Sequence, residues 1–236
     1  MRLDQYLKEN LNISRSKAHD LIKLSSVLVN NQIITKPAYI VKEGDVITIE
    51  ETLKYASRAG MKLEDAIISF NLDFTNKTVL DIGSSTGGFT DCSLAFGAKH
   101  VYAYDVGKNQ MIDRLRHHPN VTLYEETNIL SVMPNVVDIC LIDVSFTSIK
   151  PIITHLKDNA NEFVILFKPQ FEVGKQHVKK GIVKDEKIVL KALRSFQDFL
   201  ETIHIYTKDY KPVLKGKKGN QEYIFSCVKD VRKTYH

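Results

Sequence analysis

The sequence has few of the features that mark secreted, metal-binding or membrane proteins. Its only three cysteines, Cys92, Cys140 and Cys227, have no paired metal-ligand spacing and stand among apolar neighbours. This pattern predicts small buried thiols in a reducing compartment. No basic start followed by an apolar stretch and small residues is present, and the apolar runs are far shorter than the roughly 20 residues of a membrane-spanning helix. We therefore expect a cytoplasmic protein without a membrane segment and without a bound metal.

Composition sets limits on domain number and on the type of partner. The 236 residues, 43% hydrophobic and 26% charged, suffice for one ordinary core and a second small domain. The net charge of +5 and the pI near 8.9 favour an anionic partner but do not specify one.

The first fifty residues predict a compact α+β unit. Apolar residues recur at helical spacing from Leu3 to Leu11, and Ser14 is placed to cap a second helix. Asn30 and Asn31 separate two short β-type stretches, and both tolerate positive φ, so a tight hairpin is predicted there. We place this unit at residues 1–52.

The rest of the chain predicts an α/β domain. After a connector at residues 53–58, residues 59–236 include a helix from Leu63 onward and continue with strands that alternate with helical stretches. This alternation predicts a mostly parallel, Rossmann-like sheet with helices on both faces. The predicted strands are Thr78–Asp81, His100–Asp105, Thr122–Glu125, Val137–Asp143, Phe163–Lys168, a segment near Thr202–Tyr206, and Glu222–Val228.

A glycine-rich turn follows the first strand of this domain. Glycines let the backbone approach a ligand, and ligands of open α/β sheets bind at this carboxyl edge. A phosphate-binding P-loop would need a lysine that is absent, and Ser85 replaces the second glycine of a dinucleotide fingerprint. A ligand without phosphates remains, and the carboxylate of Asp81 suits a cationic one such as S-adenosylmethionine (SAM).

The candidate cofactor residues surround this turn. Asp105 ends the next strand, 22 residues after Gly83, which is the usual offset for a carboxylate that accepts from ribose hydroxyls. Asn128 is either an adenine contact or only a helix cap. The predicted cofactor-binding residues are Asp81, Gly83, Ser84, Ser85, Gly87, Gly88, Phe89, Asp105, Val106 and Asn128.

Four polar residues are candidates for catalysis: Lys62, Asp143, Lys168 and Glu222. Asp143 and Lys168 end predicted strands and therefore lie at the ligand-bearing edge. Methyl transfer to a hydroxyl needs a base, and burial beside a second cation favours the neutral form of a lysine. We assign Lys168 as the base, Lys62 as the second positive charge, and Asp143 and Glu222 as orienting groups. The alternative for Lys168 is a lysine that only snorkels at the rim.

The N-terminal unit resembles a known RNA-binding module. Its segments Arg2-Leu3-Asp4, Ser14 to Ala18 and Lys36-Pro37 look like the alpha-L motif of ribosomal protein S4, although Asn31 stands where that family usually has glycine. The resemblance implies RNA phosphate contacts, for which a solvated helix face is the alternative. The side chains assigned to RNA are Arg2, Arg15, Lys17, Lys36 and, at the start of the second domain, Arg58.

The chain as a whole resembles the TlyA family of ribosomal-RNA methyltransferases. The motifs are Ser57 to Leu63, Asp81 to Phe89, Ile142 to Phe146, Phe167 to Glu172 and Gly219 to Tyr223. The resemblance implies an FtsJ-like fold with a Lys-Asp-Lys-Glu tetrad, SAM as donor, and 2′-O-methylation of cytidine in ribosomal RNA. Since the RNA-binding motif opens this chain, we expect the shorter type and favour 23S over 16S RNA.

Other functions stay open at this point. A non-catalytic RNA-binding assembly factor is compatible with the binding modules, whereas a cytolysin would need an amphipathic or membrane-length segment. Base methylation is disfavoured, since no Asn-Pro-Pro-Tyr-like motif or catalytic cysteine stands near Asp143. The basic stretches 175–191 and 208–218 could extend an RNA surface or could simply be solvated. The sequence leaves the oligomeric state open.

Overall fold

The computed structural model describes residues 1–11, 13, 15–23, 26–49, 54–216 and 219–230. The predicted Ser14 cap, the predicted domain boundary at residue 52 and the side chain of Lys17 lie outside this description.

The N-terminal unit packs two helices on a small antiparallel sheet of strand order β2-β1-β3. Its buried centre includes Leu3, Leu7, Ile22 and Val27. The tight hairpin is confirmed, since the Asn30-Asn31 pair adopts φ values of 51° and 63° between the two strands. The elements are α1 (Leu3–Leu11), α2 (Arg15–Lys23), β1 (Val27–Val29), β2 (Gln32–Ile33) and β3 (Ile47–Ile49).

The second domain is built on a seven-stranded sheet of order β6-β5-β4-β7-β8-β10-β9. The first five strands of that order are parallel, and β10 runs antiparallel to both β8 and β9. This confirms the predicted Rossmann-like fold. The strands are β4 (Thr78–Ile82), β5 (His100–Tyr104), β6 (Val121–Tyr124), β7 (Ile139–Ile142), β8 (Glu162–Phe167), β9 (Ile205–Val213) and β10 (Glu222–Lys229).

Helices cover the sheet and occupy its connections. Two apolar clusters, one around Phe163 and Phe196 and one around Leu63 and Phe74, fill the space between the sheet and these helices. The helices are α3 (Arg58–Ser69), α4 (Gly88–Ala95), α5 (Asp113–Arg116), α6 (Lys150–Leu156), α7 (Pro169–Glu172) and α8 (Glu186–Thr202).

Two predicted boundaries were wrong. Helix α3 begins at Arg58, five residues before Leu63, because the Ser57 hydroxyl caps it by accepting from the Ala59 N–H at 3.2 Å. The strand expected near Thr202 begins at Ile205, since Thr202 is the last residue of the amphipathic helix α8. Helix α8 also contains the end of the basic stretch 175–191, and Lys187 and Lys191 are exposed on it.

Part of the predicted connector packs into the catalytic domain. Tyr55 and Ala56 are 3% and 0% exposed, and the Ala56 N–H donates to Oδ2 of Asp91 on α4 at 2.7 Å. A hydrogen bond also joins the two domains, because Oδ1 of Asp20 on α2 accepts from the N–H of Asp113 on α5 at 3.0 Å. The N-terminal unit thus contacts the segment that follows β5.

The described helices include none with the length and apolar character needed to span a bilayer. All three cysteines are buried and unpaired, as predicted.

Candidate active site

The turn after β4 requires glycine for a steric reason. Gly83 has φ +84°, and a Cβ there would lie 2.6 Å from the carbonyl oxygen of Asp143 on the neighbouring segment. The N–H groups of Gly83 and Ser84 both donate to the Tyr104 carbonyl, at 2.9 and 3.2 Å. Gly87, with φ +97°, is the N-cap residue of α4 and provides no side-chain hydrogen bond to the helix. The turn thus brings bare backbone to the carboxyl edge of the sheet.

Asp81 lies beneath this turn and is fully buried. Its Oδ2 accepts from the Thr90 hydroxyl at 2.6 Å, whereas Oδ1 has no hydrogen-bond partner among the described residues. Burial, reinforced by the nearby carboxylate of Asp143, raises the pKa of Asp81 to about 7. The buried hydroxyl of Ser84 also has no partner in the described structure. Unsatisfied buried polar atoms need an explanation, and a polar ligand supplies one.

Asp105 ties the turn to the segment after β5. Its carboxylate accepts from the N–H of Ser85 at 2.8 Å and from the N–H of Gly107 at 2.6 Å. The side-chain amide of Gln110 adds a third bond at 3.2 Å. Val106 beside it is 72% exposed. The structure therefore brings Asp105 and Val106 to the predicted edge.

Two predicted cofactor residues have structural roles. Asn128 accepts from the Leu130 N–H at 3.0 Å and caps the 3₁₀ turn Ile129–Ser131, which is the helix-cap alternative. Phe89 is 2% exposed and its ring packs in the core. Only its backbone remains available at the turn.

The four predicted catalytic residues form two buried pairs at the carboxyl edge. Nζ of Lys168 lies 2.5 Å from Oδ1 of Asp143, and Nζ of Lys62 on α3 donates to Oε2 of Glu222 on β10. Lys62 and Lys168 are each 8% exposed and Glu222 is 5% exposed. The pairs are near enough to interact, since Lys62 and Glu222 both influence the pKa of Asp143.

Three oxygen atoms surround the side-chain nitrogen of Lys168. Besides Asp143, its Nζ donates to the Val144 carbonyl at 3.0 Å and to the Ser145 hydroxyl at 2.9 Å. An ammonium has three donors, so each can have an acceptor. Burial raises the pKa of Asp143, although Lys168 and Lys62 oppose the shift.

Sequence reasoning missed several residues around these pairs. Ser145 holds Lys168, and Gly216 has no room for a Cβ because Oε1 of Glu222 occupies that space. Glu172 accepts from the Ser148 hydroxyl at 2.8 Å. Ser145 and Glu172 lie inside the motifs that suggested the family, and this was the only signal for them.

Phe146 is strained and exposed at the mouth of the site. It has φ +70°, a conformation that costs a bulky residue about 1–3 kcal/mol. Its side chain is 88% exposed, and its ring centroid lies 5.7 Å from that of Phe171. The surrounding structure must therefore hold this backbone in place.

In the N-terminal unit, three cationic or titratable side chains surround one buried carboxylate, Asp4, which is 0% exposed. Arg2 donates to it at 2.9 and 3.1 Å, Arg15 at 3.2 Å, and Nε2 of His19 lies 3.0 Å away. The arginines and His19 hold the pKa of Asp4 well below its usual range. We call Asp4 with these three partners the Asp4 cluster.

The other predicted RNA residues lie in two places. Lys36 is exposed and precedes Pro37, whose carbonyl accepts from the Asp4 N–H at 3.1 Å, so it lies beside the Asp4 cluster. Arg58 is exposed at the start of α3 in the catalytic domain, where it donates to the Lys215 carbonyl at 3.3 Å.

No group of three or more His, Cys, Asp or Glu side chains in the described ranges could hold a metal ion.

The strand order, the glycine turn and the paired lysines and carboxylates define the class of Rossmann-like methyltransferases. Residues 55–229 match the FtsJ-like methyltransferase family, and residues 1–47 match the S4 domain. The chain belongs to the TlyA family of FtsJ-like methyltransferases.

The chain is similar to curated relatives and to a solved structure over most of its length. The chain is 41% identical to Hemolysin A of Brachyspira hyodysenteriae, covering 95% of this chain and 98% of the relative. It is 35% identical to the 23S rRNA (cytidine-2′-O)-methyltransferase TlyA of Campylobacter jejuni, covering 98% and 100%. A solved structure from Streptococcus thermophilus, provisionally described as a hemolysin, aligns with TM-score 0.75 at 33% identity, covering 97% and 88%.

Proposed function

We propose that this protein is a SAM-dependent methyltransferase that modifies the ribose 2′-hydroxyl of a cytidine in ribosomal RNA, with 23S RNA as the favoured substrate. The observation that carries the proposal is the meeting of two buried lysine–carboxylate pairs beside the glycine turn. The name of the Campylobacter relative supports the choice of cytidine and of 23S RNA.

The residues at the turn fit SAM, which supplies a methyl group bonded to a cationic sulfur. The unpaired Oδ1 of Asp81 and hydroxyl of Ser84 suit the amino-acid end of the cofactor, because its ammonium group needs acceptors. Asp105 and Val106 suit the nucleoside end. Gly83, Gly87 and Gly88 have no side chains, so the middle of the cofactor can come close to the backbone of the turn.

The catalytic pairs then provide proton transfer and charge stabilisation. Lys168 acts in its neutral form: after its ammonium has released a proton to solvent, Nζ takes the proton of the ribose hydroxyl as the ribose oxygen gains the methyl group. The acceptors around that atom, Asp143, Val144 and Ser145, stabilise the resulting ammonium. Lys62 supplies a positive charge near the oxygen while the proton leaves, and Glu222 orients Lys62.

RNA affinity comes from outside this centre. The Asp4 cluster presents two arginines whose side chains are 44% and 65% exposed, and Arg residues recognise phosphate through paired N–H donors. Lys36 extends this surface, and Arg58 adds a contact on the catalytic domain. Lys17 stays a prediction. Phosphate contacts of this kind position the RNA without reading its bases.

The test uses 23S RNA isolated from cells that lack the gene. The purified protein and SAM should produce 2′-O-methylcytidine, detected by mass spectrometry of nuclease digests. Lys168→Met keeps the side-chain length but removes the amine, and we expect a rate loss of about 100-fold or more with RNA binding retained. Lys99→Met, an exposed site at the opposite edge of the sheet, is the control. Methylation of the base, or full activity of Lys168→Met, would contradict the proposal.

A further inference from the structure

Asp143 and Lys168 lie on two different chain segments, and these segments contact each other at both ends. The first segment runs from Asp143 to Ile149 and the second from Lys168 to Glu172, which forms α7. Their near ends meet where Lys168 contacts Asp143, and their middles meet where the rings of residues 146 and 171 pack.

Glu172 makes the contact at the far end. Its Oε2 accepts from the Ser148 hydroxyl and its Oε1 accepts from the Ile149 N–H, both at 2.8 Å. Ile149 is the N-cap position of α6 and offers no capping side chain of its own. A carboxylate from another segment therefore satisfies the first donor of this helix.

The segment between these anchors holds the amine of Lys168. Val144 and Ser145 accept from Nζ, and Phe146 immediately afterwards is in a left-handed conformation at φ +70°. Such a backbone persists only where its surroundings over-determine it. Without Glu172, the segment could relax at Phe146 and carry Val144 and Ser145 away from Lys168.

We infer that Glu172 is a positioning residue for methyl transfer: through Ser148 and Ile149 it fixes the 143–149 segment and thereby the amine of Lys168. This inference rests on the proposed function. A catalytic group displaced by about an ångström can lose roughly 100-fold in rate, so loss of Glu172 should act on kcat. The cofactor turn contacts the start of this segment, where Gly83 lies against Asp143 and Val144, and Glu172 acts at the far end, so SAM affinity should change little.

The chain offers a matched control for a purely structural role. Asp138 also accepts from one backbone N–H and one hydroxyl, those of Thr78, each at 2.7 Å, but it lies at the opposite edge of the sheet. Asp138→Ala should lower stability by an amount comparable to Glu172→Ala and leave kcat unchanged. Glu172→Gln is the conservative variant, since its carbonyl can accept from Ile149 and its amide can donate to the Ser148 oxygen.

The experiment measures kcat, KM for SAM and amide hydrogen exchange in the 143–149 segment for all variants. We expect Glu172→Ala to lower kcat 10- to 100-fold, keep KM within about threefold and speed exchange at Ile149, with Glu172→Gln restoring most of kcat. Equal loss of kcat in Asp138→Ala, or unchanged kcat in a folded Glu172→Ala, would overturn the inference. If Glu172→Ala does not fold, Ser148→Ala takes its place. If the native protein transfers no methyl group, the proposed function fails, and unchanged exchange in Glu172→Ala would then overturn the positioning role by itself.

Discussion

Replacing Asp81 with asparagine should stabilise the protein and weaken its cofactor binding. The pKa of this buried carboxyl is raised from 3.8 to about 7, so the folded protein holds a proton there that the unfolded chain releases above pH 4. The stability contributed by the protonated form is complete below pH 4 and is lost as pH rises through 7. With 1.36 kcal/mol per pKa unit, the raised pKa of Asp81 lowers the free energy of unfolding by about 4 kcal/mol at pH 8 and by about 2 kcal/mol at pH 5.

Asparagine has the same shape and no charge, so it avoids this cost. For a chain of this length, about 4 kcal/mol corresponds to a rise of roughly 10 °C in melting temperature. Thermal unfolding of Asp81→Asn and the native protein without cofactor should therefore show a gap that is largest at pH 8 and shrinks toward pH 5.

Cofactor affinity should move in the opposite direction. The carboxylate, not the acid, attracts a cationic ligand, and for a pKa of about 7 the ionised fraction falls about tenfold between pH 8 and pH 6. Calorimetry should show SAM affinity of the native protein falling by a similar factor, with release of about half a proton on binding at pH 7. Asp81→Asn should bind at least tenfold more weakly at pH 8 and lose the pH dependence. Native-like affinity and an unchanged pH profile in the variant would refute the reasoning.

Three further substitutions test other parts of the site. Gly83→Ala places a Cβ 2.6 Å from the Asp143 carbonyl at a positive φ, so it should lower the melting temperature and weaken SAM binding measured by calorimetry. Gly216→Ala should push Oε1 of Glu222 aside and lower kcat about tenfold with SAM affinity unchanged. Asp4→Asn raises the net charge but removes the carboxylate that holds Arg2 and Arg15 in place. It should therefore weaken RNA binding in a filter assay at fixed salt. Tighter binding would show that charge alone determines RNA affinity.

The sequence predicts the sheet well because each central strand is a short apolar run with polar or turn-forming residues at both ends. Buried parallel strands such as Ile139–Ile142 are apolar throughout, and this pattern survives any detail of packing. The segment near Thr202 was mispredicted since a helix and a strand meet there with one residue pair between them, and apolar residues continue across the junction. Local pattern alone gives poor boundaries at such sites.

The contacts that organise the site were harder to predict. Glu172 lies 24 residues from Ser148, and Asp4 lies 11 residues from Arg15 and 15 from His19. In sequence, the carboxylates of Glu172 and Asp4 resemble ordinary solvated charges. Their importance depends on burial and on which segments the sheet brings together, and periodicity carries neither type of information.

The charges of the site explain why binding and catalysis use different regions of the molecule. The four side chains that we propose for catalysis are two lysines and two carboxylates, each lysine in contact with one carboxylate. Pairing limits the desolvation cost of burying them, but it also leaves the centre with no net charge to attract RNA. Attraction must therefore come from exposed cations elsewhere. We propose the Asp4 cluster for this role, because its two arginines outnumber its one carboxylate and leave an excess of positive charge. Under the proposed function, a buried centre made of ion pairs leaves RNA attraction to exposed cations elsewhere, and this is the role that we propose for the N-terminal S4 domain.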